Sequence, residues 1–335
     1  MSSSLPESWS LATLAGQRLM IGFEGPACDT RIRRLLFRFR PAGVVLFATN
    51  VRSPDQLRRL ISDLQTAASD AKIPPLIIAI DQEGGHVARL REPSFREYPS
   101  IRTLRTESEA RNHARSMAKD LKNLGITMNL APVLDVATSS GSIMLNRAFE
   151  GSAAMVETMG LAMIEEYQKQ GVDAVAKHFP GIGRTVLDSH QVLPHLHTDW
   201  EELASSDLIP FRAAIQTDVP GIMVSHILYE KLDPQWPASL SVQISRNLLR
   251  DTMGYEGLVM TDDLDMKAIR LPMEKVMERM VAAEIDLGLI CHEGPALEEA
   301  FETLVQTAEN PEARKQFLQS AHRVLRLTIK KGLRN

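Results

Sequence analysis

Between Ala174 and His197 the chain gathers side chains able to move protons or hold a polar ligand: Lys177, His178, Arg184, Asp188, His190, His195 and His197. The stretch opens on the apolar run Ala174-Val175-Ala176, the end of a buried strand, and Phe179-Pro180-Gly181-Ile182-Gly183 then stops regular structure. A rigid strand feeding a long charged loop is where proteins hold reactive groups. In a tight loop the carboxylate of Asp188 reaches the ring of His190, two residues on. That contact would fix the imidazole tautomer and move its pKa towards neutrality, as a general acid/base requires. The alternative is a pair of surface residues that share no hydrogen bond. His190, His195 and His197 also invite a metal reading, but no HExxH pattern or cysteine companion supports zinc. Lys177 at a strand end is open to a further reading, the Schiff-base lysine of an aldolase-type barrel.

Other strand ends carry chemistry too. Asp81 follows the apolar run Pro75–Ile80, and Asp135 follows Thr127–Ala131. His226 follows Gly221–Val224, and Asp262 and Asp263 follow Gly257–Met260 and Thr261. A lone aspartate after a strand is more often a helix N-cap. Taken together these groups weaken that reading, because caps need no lysine or histidine beside them. A carboxylate fixed at a strand rim, such as Asp262, suits a nucleophile or an electrostatic stabiliser of an oxocarbenium-like transition state.

The elements that must position these groups read as a regular alternation. Eight apolar runs predict strands: Gln17–Phe23, Gly43–Phe47, Pro75–Ile80, Thr127–Ala131, Ala174–Lys177, Gly221–Val224, Gly257–Met260 and Leu287–Cys291. Near-continuous apolar strands signal a parallel sheet buried on both faces. Between them lie helical patterns at Thr30–Phe39, from Ser53-Pro54, at Glu107–Leu124, Ala153–Gln170, Leu208–Gln216, Ser241–Met253 and Met273–Ala283. Ser53 caps the second with Pro54 in its first turn. Gly171 stops Ala153–Gln170, and Ser205-Ser206-Asp207 opens Leu208–Gln216. Two amphipathic helices, about 296–309 and 313–331, close the chain. Strand–helix alternation near eight repeats predicts an α/β fold, a single-domain (β/α)₈ TIM barrel over 1–335, rather than an open doubly wound sheet. No GxGxxG or GxxxxGK[ST] follows a strand, which argues against nucleotide binding.

Composition narrows the function classes. A net charge of −4 in 335 residues gives no footprint for nucleic acid or an acidic membrane. Cys28 and Cys291 make no disulfide framework and no metal pattern. No window reaches the ~18 apolar residues of a membrane span, and the polar N-terminus lacks a leader pattern. The expected location is cytoplasmic and the expected partner a small molecule.

The segment KHFPGIGRTVLDSH (177–190) resembles the signature of the β-N-acetylglucosaminidase branch of glycoside hydrolase family 3, whose usual form is KHFPGHGxxxxDSH. GVVLFATNVRSPDQ (43–56), IDQEGGHVAR (80–89), LAPVLDV (130–136), NRAF (146–149), MVSH (223–226) and GLVMTDDLDM (257–266) resemble further family blocks in family order. The resemblance implies a retaining hydrolase that removes terminal β-linked GlcNAc. Asp262 matches the nucleophile, and His190 with Asp188 matches the acid/base dyad. Asp81, Arg89, Arg147, Lys177 and His178 match sugar ligands. It also implies no cofactor and no metal, and a substrate such as GlcNAc–1,6-anhydro-MurNAc muropeptides in peptidoglycan recycling. Three positions depart from the family pattern: Ile182 replaces the second histidine of PGHG, Arg184 stands where aspartate is frequent, and His86 replaces the arginine of EGGR. Ile182 falls within the loop and bears on how that loop docks. Two alternatives use the same scaffold: a GlcNAc phosphorylase, because a neutral histidine tolerates an incoming phosphate better than a glutamate does, and a sugar-binding pseudoenzyme.

Overall fold

The computed structural model describes residues 5–137, 140–186, 193–266 and 268–332, with side chains as far as 328. Eight strands close a parallel barrel: β1 (Leu19–Ile21), β2 (Gly43–Leu46), β3 (Ile77–Ile80), β4 (Met128–Asn129), β5 (Asp173–Phe179), β7 (Gly221–Val224), β9 (Leu258–Asp263) and β10 (Leu287–Ile290). Each pairs with its neighbour in the series, and β10 returns to β1 through Leu19↔Gly288 to Ile21↔Ile290. The expected (β/α)₈ barrel is therefore the observed one. Two further short strands, β6 (His195–Leu196) and β8 (Leu228–Tyr229), pair in parallel outside the barrel.

The helices start where their caps predict. Asp29 accepts from the Ile32 N–H ahead of α2 (Thr30–Phe39), with α1 (Leu11–Gly16) preceding β1. Ser53 accepts from the Gln56 N–H ahead of α3 (Pro54–Asp70), and Thr106 and Glu109 form a reciprocal box at α4 (Glu107–Leu124). Ser152 caps α5 (Ala153–Gln170), which ends at Gly171 as expected. One cap differs. The helix before β7 begins earlier, at α6 (Trp200–Glu202), capped by Asp199, and runs through a wide turn at Leu203–Asp207 into α7 (Leu208–Gln216). Asp207 therefore lies inside the helix and caps nothing; its carboxylate faces Arg184. After β7 come a wide helical segment at Val242–Thr252, capped by Ser241, then α8 (Met273–Ala282), α9 (Pro295–Glu309) and α10 (Pro311–Gly332).

Burial divides into two layers. Inside the barrel Met20, Val45, Ile77, Met128, Val175, Met223, Met260 and Leu289 fill the bore together with Val324 of α10. Around it the outward strand faces pack on the helices in one continuous layer. Alternate residues of each strand thus serve two cores, which is why the strands read as unbroken apolar runs. Val324 and the Arg323–Asp286 ion pair place α10 across the N-terminal mouth of the barrel. The C-terminal mouth is left for the polar strand ends. No described helix is long and apolar enough to cross a membrane.

Candidate active site

The site is built from the C-terminal ends of β3, β4, β5, β7 and β9. Asp81 ends β3, and buried Gln82 then turns the chain. The Gln82 side-chain oxygen accepts from the N–H groups of Arg89 (2.9 Å) and Leu90 (3.0 Å), bringing Arg89 back over the strand. The Arg89 guanidinium meets Asp81 at 3.2 Å. Between them Gly84 has φ +100°, and a Cβ there would lie 2.3 Å from the Pro99 carbonyl oxygen. Only glycine makes this turn without displacing backbone.

Lys177 lies on β5, as the predicted strand Ala174–Lys177 has it, and the strand runs on past that expected end to take in His178 and Phe179. The Lys177 ammonium donates to Asp81 (2.8 Å) and to Glu83 (2.7 Å). Glu83 also receives the fork of Arg147, 2.7 Å from Nη2 and 3.0 Å from Nε. Arg89, Asp81, Lys177, Glu83 and Arg147 therefore form one chain of alternating charge. Arg147 ends 3.5 Å from His178 Nε2, and His178 Nδ1 lies 2.8 Å from the buried Asp135 carboxylate. A guanidinium donates only, so the tautomer with hydrogen on Nδ1 satisfies both contacts.

These contacts set the charges. Burial alone would raise the pKa of Glu83, but Lys177 and Arg147 hold it well below the usual carboxylate range. Burial opposes the charge on Lys177, but Asp81 and Glu83 hold the ammonium above its ordinary value. A Schiff base needs a neutral amine, so the aldolase reading of Lys177 fails on this geometry. Asp262, the penultimate residue of β9, is recessed but reachable. Desolvation would raise its pKa; His178, His226, the Asp263 N–H (2.9 Å) and Lys177 together pull it below the ordinary value. His226 is fixed from both sides, by Ser239 Oγ at 2.6 Å and the Asp263 carbonyl at 3.0 Å. Asp263 is the opposite case: desolvation, with Asp265 and Asp262 adding, pushes it up to about 6.

Six of the eight expected positions can be placed. Asp81, Arg89, Arg147, Lys177 and His178 converge on one cluster, and Asp262 stands within electrostatic reach of Lys177, His178 and Arg147. Asp188 and His190 lie outside the described residues. His195 and His197 each meet one oxygen of Glu230, both at 2.7 Å, beside the short β6–β8 pair. Among the described residues the donors that could converge on a metal are Asp263, Asp265 and His292, within 4.8 Å of one another. Glu83 and Asp135 are the buried anions behind the cluster. Asp135 was visible as a strand-end aspartate. Glu83 was not, although an acid three places past the strand end at Ile80 and before Gly-Gly was the available signal.

The root of the loop is docked. Ile182 is buried, and its N–H donates to Asp135 at 2.8 Å. It is a core residue here, and not a free part of the loop. A Cβ at Gly183 would lie 2.0 Å from the Val136 carbonyl oxygen, so the chain packs backbone on backbone. Arg184 pairs with the buried Asp207 at 3.0 Å. Burial still pushes Asp207 up to about 6. The native state then binds its proton more tightly than the unfolded chain does, so this group costs stability as pH rises from about 4 to about 6. Asp207→Asn is expected to gain on wild type across that interval by on the order of 3 kcal/mol. Denaturation midpoints of both proteins at pH 4, 5, 6 and 7 check this; parallel curves would refute it.

A barrel mouth lined with forked cations and oriented carboxylates is suited to a polyhydroxylated ligand, and an ionised aspartate beside them to attack or stabilise an electrophilic carbon. The profile of the Glycosyl hydrolase family 3 N terminal domain matches residues 14–327. The chain belongs to glycosyl hydrolase family 3. Within the family, the Beta-hexosaminidase of Alkalilimnicola ehrlichii is 35% identical over 290 residues, 83% of this chain and 82% of its own. Beta-hexosaminidase A of Pseudoalteromonas piscicida is 34% identical over 316 residues, 83% of this chain and 53% of its own. The solved family 3 beta-N-acetylglucosaminidase from Paenibacillus sp. strain FPU-7 superposes with a TM-score of 0.93 at 32% identity, covering 98% of this chain and 64% of that one. The chain thus spans about half the length of the Pseudoalteromonas relative and under two thirds of the Paenibacillus structure. The resemblance read from the DSH loop and its companion blocks is borne out by a family 3 match and by relatives of β-hexosaminidase type.

Proposed function

We propose that this family 3 chain is a retaining exo-β-N-acetylglucosaminidase. Asp262 attacks the anomeric carbon of a terminal β-linked GlcNAc while His190, oriented by Asp188, gives its proton to the leaving oxygen. The C1–O bond breaks as the C1–Asp262 bond forms. A water then attacks C1, His190 takes its proton, and GlcNAc leaves with its β configuration restored. Lys177, His178, Asp81, Arg89 and Arg147 hold the sugar, with Asp81 accepting from its distal hydroxyls. The preferred substrate is a GlcNAc–1,6-anhydro-MurNAc muropeptide of peptidoglycan recycling, met in the cytoplasm, and the reaction uses no cofactor. One observation carries the reading: in a family 3 barrel whose relatives are named β-hexosaminidases, an aspartate held ionised stands beside a cluster of fixed cations at the open mouth.

The test is release of nitrophenol from the 4-nitrophenyl β-glycosides of GlcNAc and glucose, assayed side by side. Strong preference for the GlcNAc substrate supports the reading. Silence on both, from protein that binds GlcNAc, overturns it for a binding protein. GlcNAc-1-phosphate formed on adding inorganic phosphate overturns it for a phosphorylase. His190→Ala is expected to cost about 10²–10⁴ in kcat on a poor leaving group and much less on nitrophenol. Equal losses on the two would remove the acid role.

A further inference from the structure

The buried carboxylate of Glu83 has no place in the reaction above, yet it touches two of the groups that do. We propose that Glu83 is the positioning residue of the sugar site, aiming Lys177 and Arg147 at the ligand and holding Arg147 off Asp262; this rests on the proposed function. Its side chain is 3% exposed, and its Oε1 accepts from both Lys177 Nζ and Arg147 Nη2 at 2.7 Å. Oε2 accepts from Arg147 Nε at 3.0 Å. Three charge-assisted bonds occupy both oxygens, so the group acts through the two cations and does not meet the ligand itself.

Two cations do not share one point without an anion between them. Lys177 has a second partner, Asp81 at 2.8 Å. Arg147 has no other carboxylate within ion-pair distance among the described residues; the nearby charges it feels after Glu83 are those of Asp135 and Asp262. Asp135 already accepts from His178 and from the Ile182 N–H. Asp262 is the carboxylate left to attract a released guanidinium, and an Arg147–Asp262 pair would mask the nucleophile. The backbone holds Glu83 for this task. Its N–H donates to the Val87 carbonyl at 3.0 Å across the turn that Gly84 makes possible. The side chain therefore enters from a rigid hairpin, and the fork on Arg147 fixes the plane of the guanidinium.

Glu83→Gln keeps the shape and removes the charge. With the 4-nitrophenyl β-glycoside of GlcNAc, kcat/KM is expected to fall about 100-fold, with KM raised and kcat lowered. Glu83→Asp keeps the charge, and its shorter arm cannot serve both cations; it is the second variant should the first not fold, and KM is expected to rise about tenfold. The decisive measurement is the cycle with Lys177→Met. If Glu83 acts through Lys177, its substitution costs at least tenfold less in that background than in wild type. A purely structural glutamate costs the same factor in both. Additive losses, or either Glu83 variant with wild-type kcat and KM, overturn the proposal. Wild type inert on the substrate would instead sink the proposed function, so the two failures are distinguishable.

Discussion

Asp262→Ala should lower kcat/KM on GlcNAc glycosides by on the order of 10⁴, with the protein still folded and still binding GlcNAc. Three features of the site lead to that size of loss. The carboxylate is fixed at the end of β9 by the Asp263 N–H, so its approach to the sugar is set before the ligand arrives. Its charge is favoured by its surroundings. Because its folded pKa is lowered, the anion is fully present above the ordinary carboxylate range and is lost only as pH falls through a still lower value. Between pH 5 and 8, therefore, Asp262 contributes no limb to the pH–rate profile. Any limb found there belongs to another group, and His190 is the proposed one. The third feature is that no described neighbour can replace it. Asp263, next in sequence, is pushed up to about 6 and spends one oxygen on the Asp265 and Cys291 N–H groups.

The alanine variant also separates nucleophile from bystander. Removing the carboxylate opens space on the face of the sugar opposite the leaving group. Added azide is expected to enter it and attack C1, restoring turnover of the nitrophenyl substrate and giving a glycosyl azide of α configuration. Retained activity within tenfold of wild type, or a β-azide, would show that Asp262 only stabilises charge and that another group forms the bond.

What the sequence disclosed and what it hid have a common physical reason. The barrel was legible because each strand serves two apolar layers and so reads as an unbroken run, and because most helices carry their caps locally: Ser53 with Pro54, Thr106 with Glu109, Gly171. Strand ends were legible for the same reason, since polar residues can begin only where the apolar layers stop. Asp81, Asp135 and Asp262 all sit there. The contacts that give those residues their properties were hidden, because they join distant segments. Arg147 and Glu83 are 64 residues apart, and no periodicity reports such a pair. Asp207 shows the same limit from the other side. Locally it is a good helix cap; in the fold Arg184, 23 residues away, claims it. Pro180, Gly181 and Gly183 around Ile182 predict a loop, whereas the β4 end supplies a buried carboxylate, Asp135, for its N–H.

The largest loss of stability is expected at the opposite mouth, from Asp286→Asn. Asp286 precedes β10 and is 2% exposed; its Oδ2 accepts from Arg250 at 2.5 Å and from the Val259 N–H at 2.9 Å, and its Oδ1 from Arg323 at 3.0 Å. Arg18 lies fully buried nearby, donating to the Ile285 carbonyl and stacked 4.6 Å from the Phe317 ring of α10, its pKa pushed down to about 10 by burial. Three guanidinium groups thus surround one carboxylate, and α10 is tied to it through Arg323 and through Ser320, whose hydroxyl donates to the Asp286 carbonyl. Asparagine would keep the shape and leave the arginines without their anion. Breaking a buried pair in this way costs about 3–5 kcal/mol, which the urea midpoint would report. The pH dependence has a definite sign. Burial works against the Asp286 charge, but Arg250 and Arg323 hold its pKa below the ordinary value. Its contribution is present above the unfolded carboxylate value and disappears as pH falls through the folded one. Wild type and variant should therefore differ most near neutrality and converge in acid. Activity per folded molecule should be unchanged, because the substituted side chain lies at the end of the barrel away from Asp262. A loss of kcat/KM without a loss of stability would mean that the two mouths are coupled through the bore, and that α10 helps shape the site as well as closing the barrel beneath it.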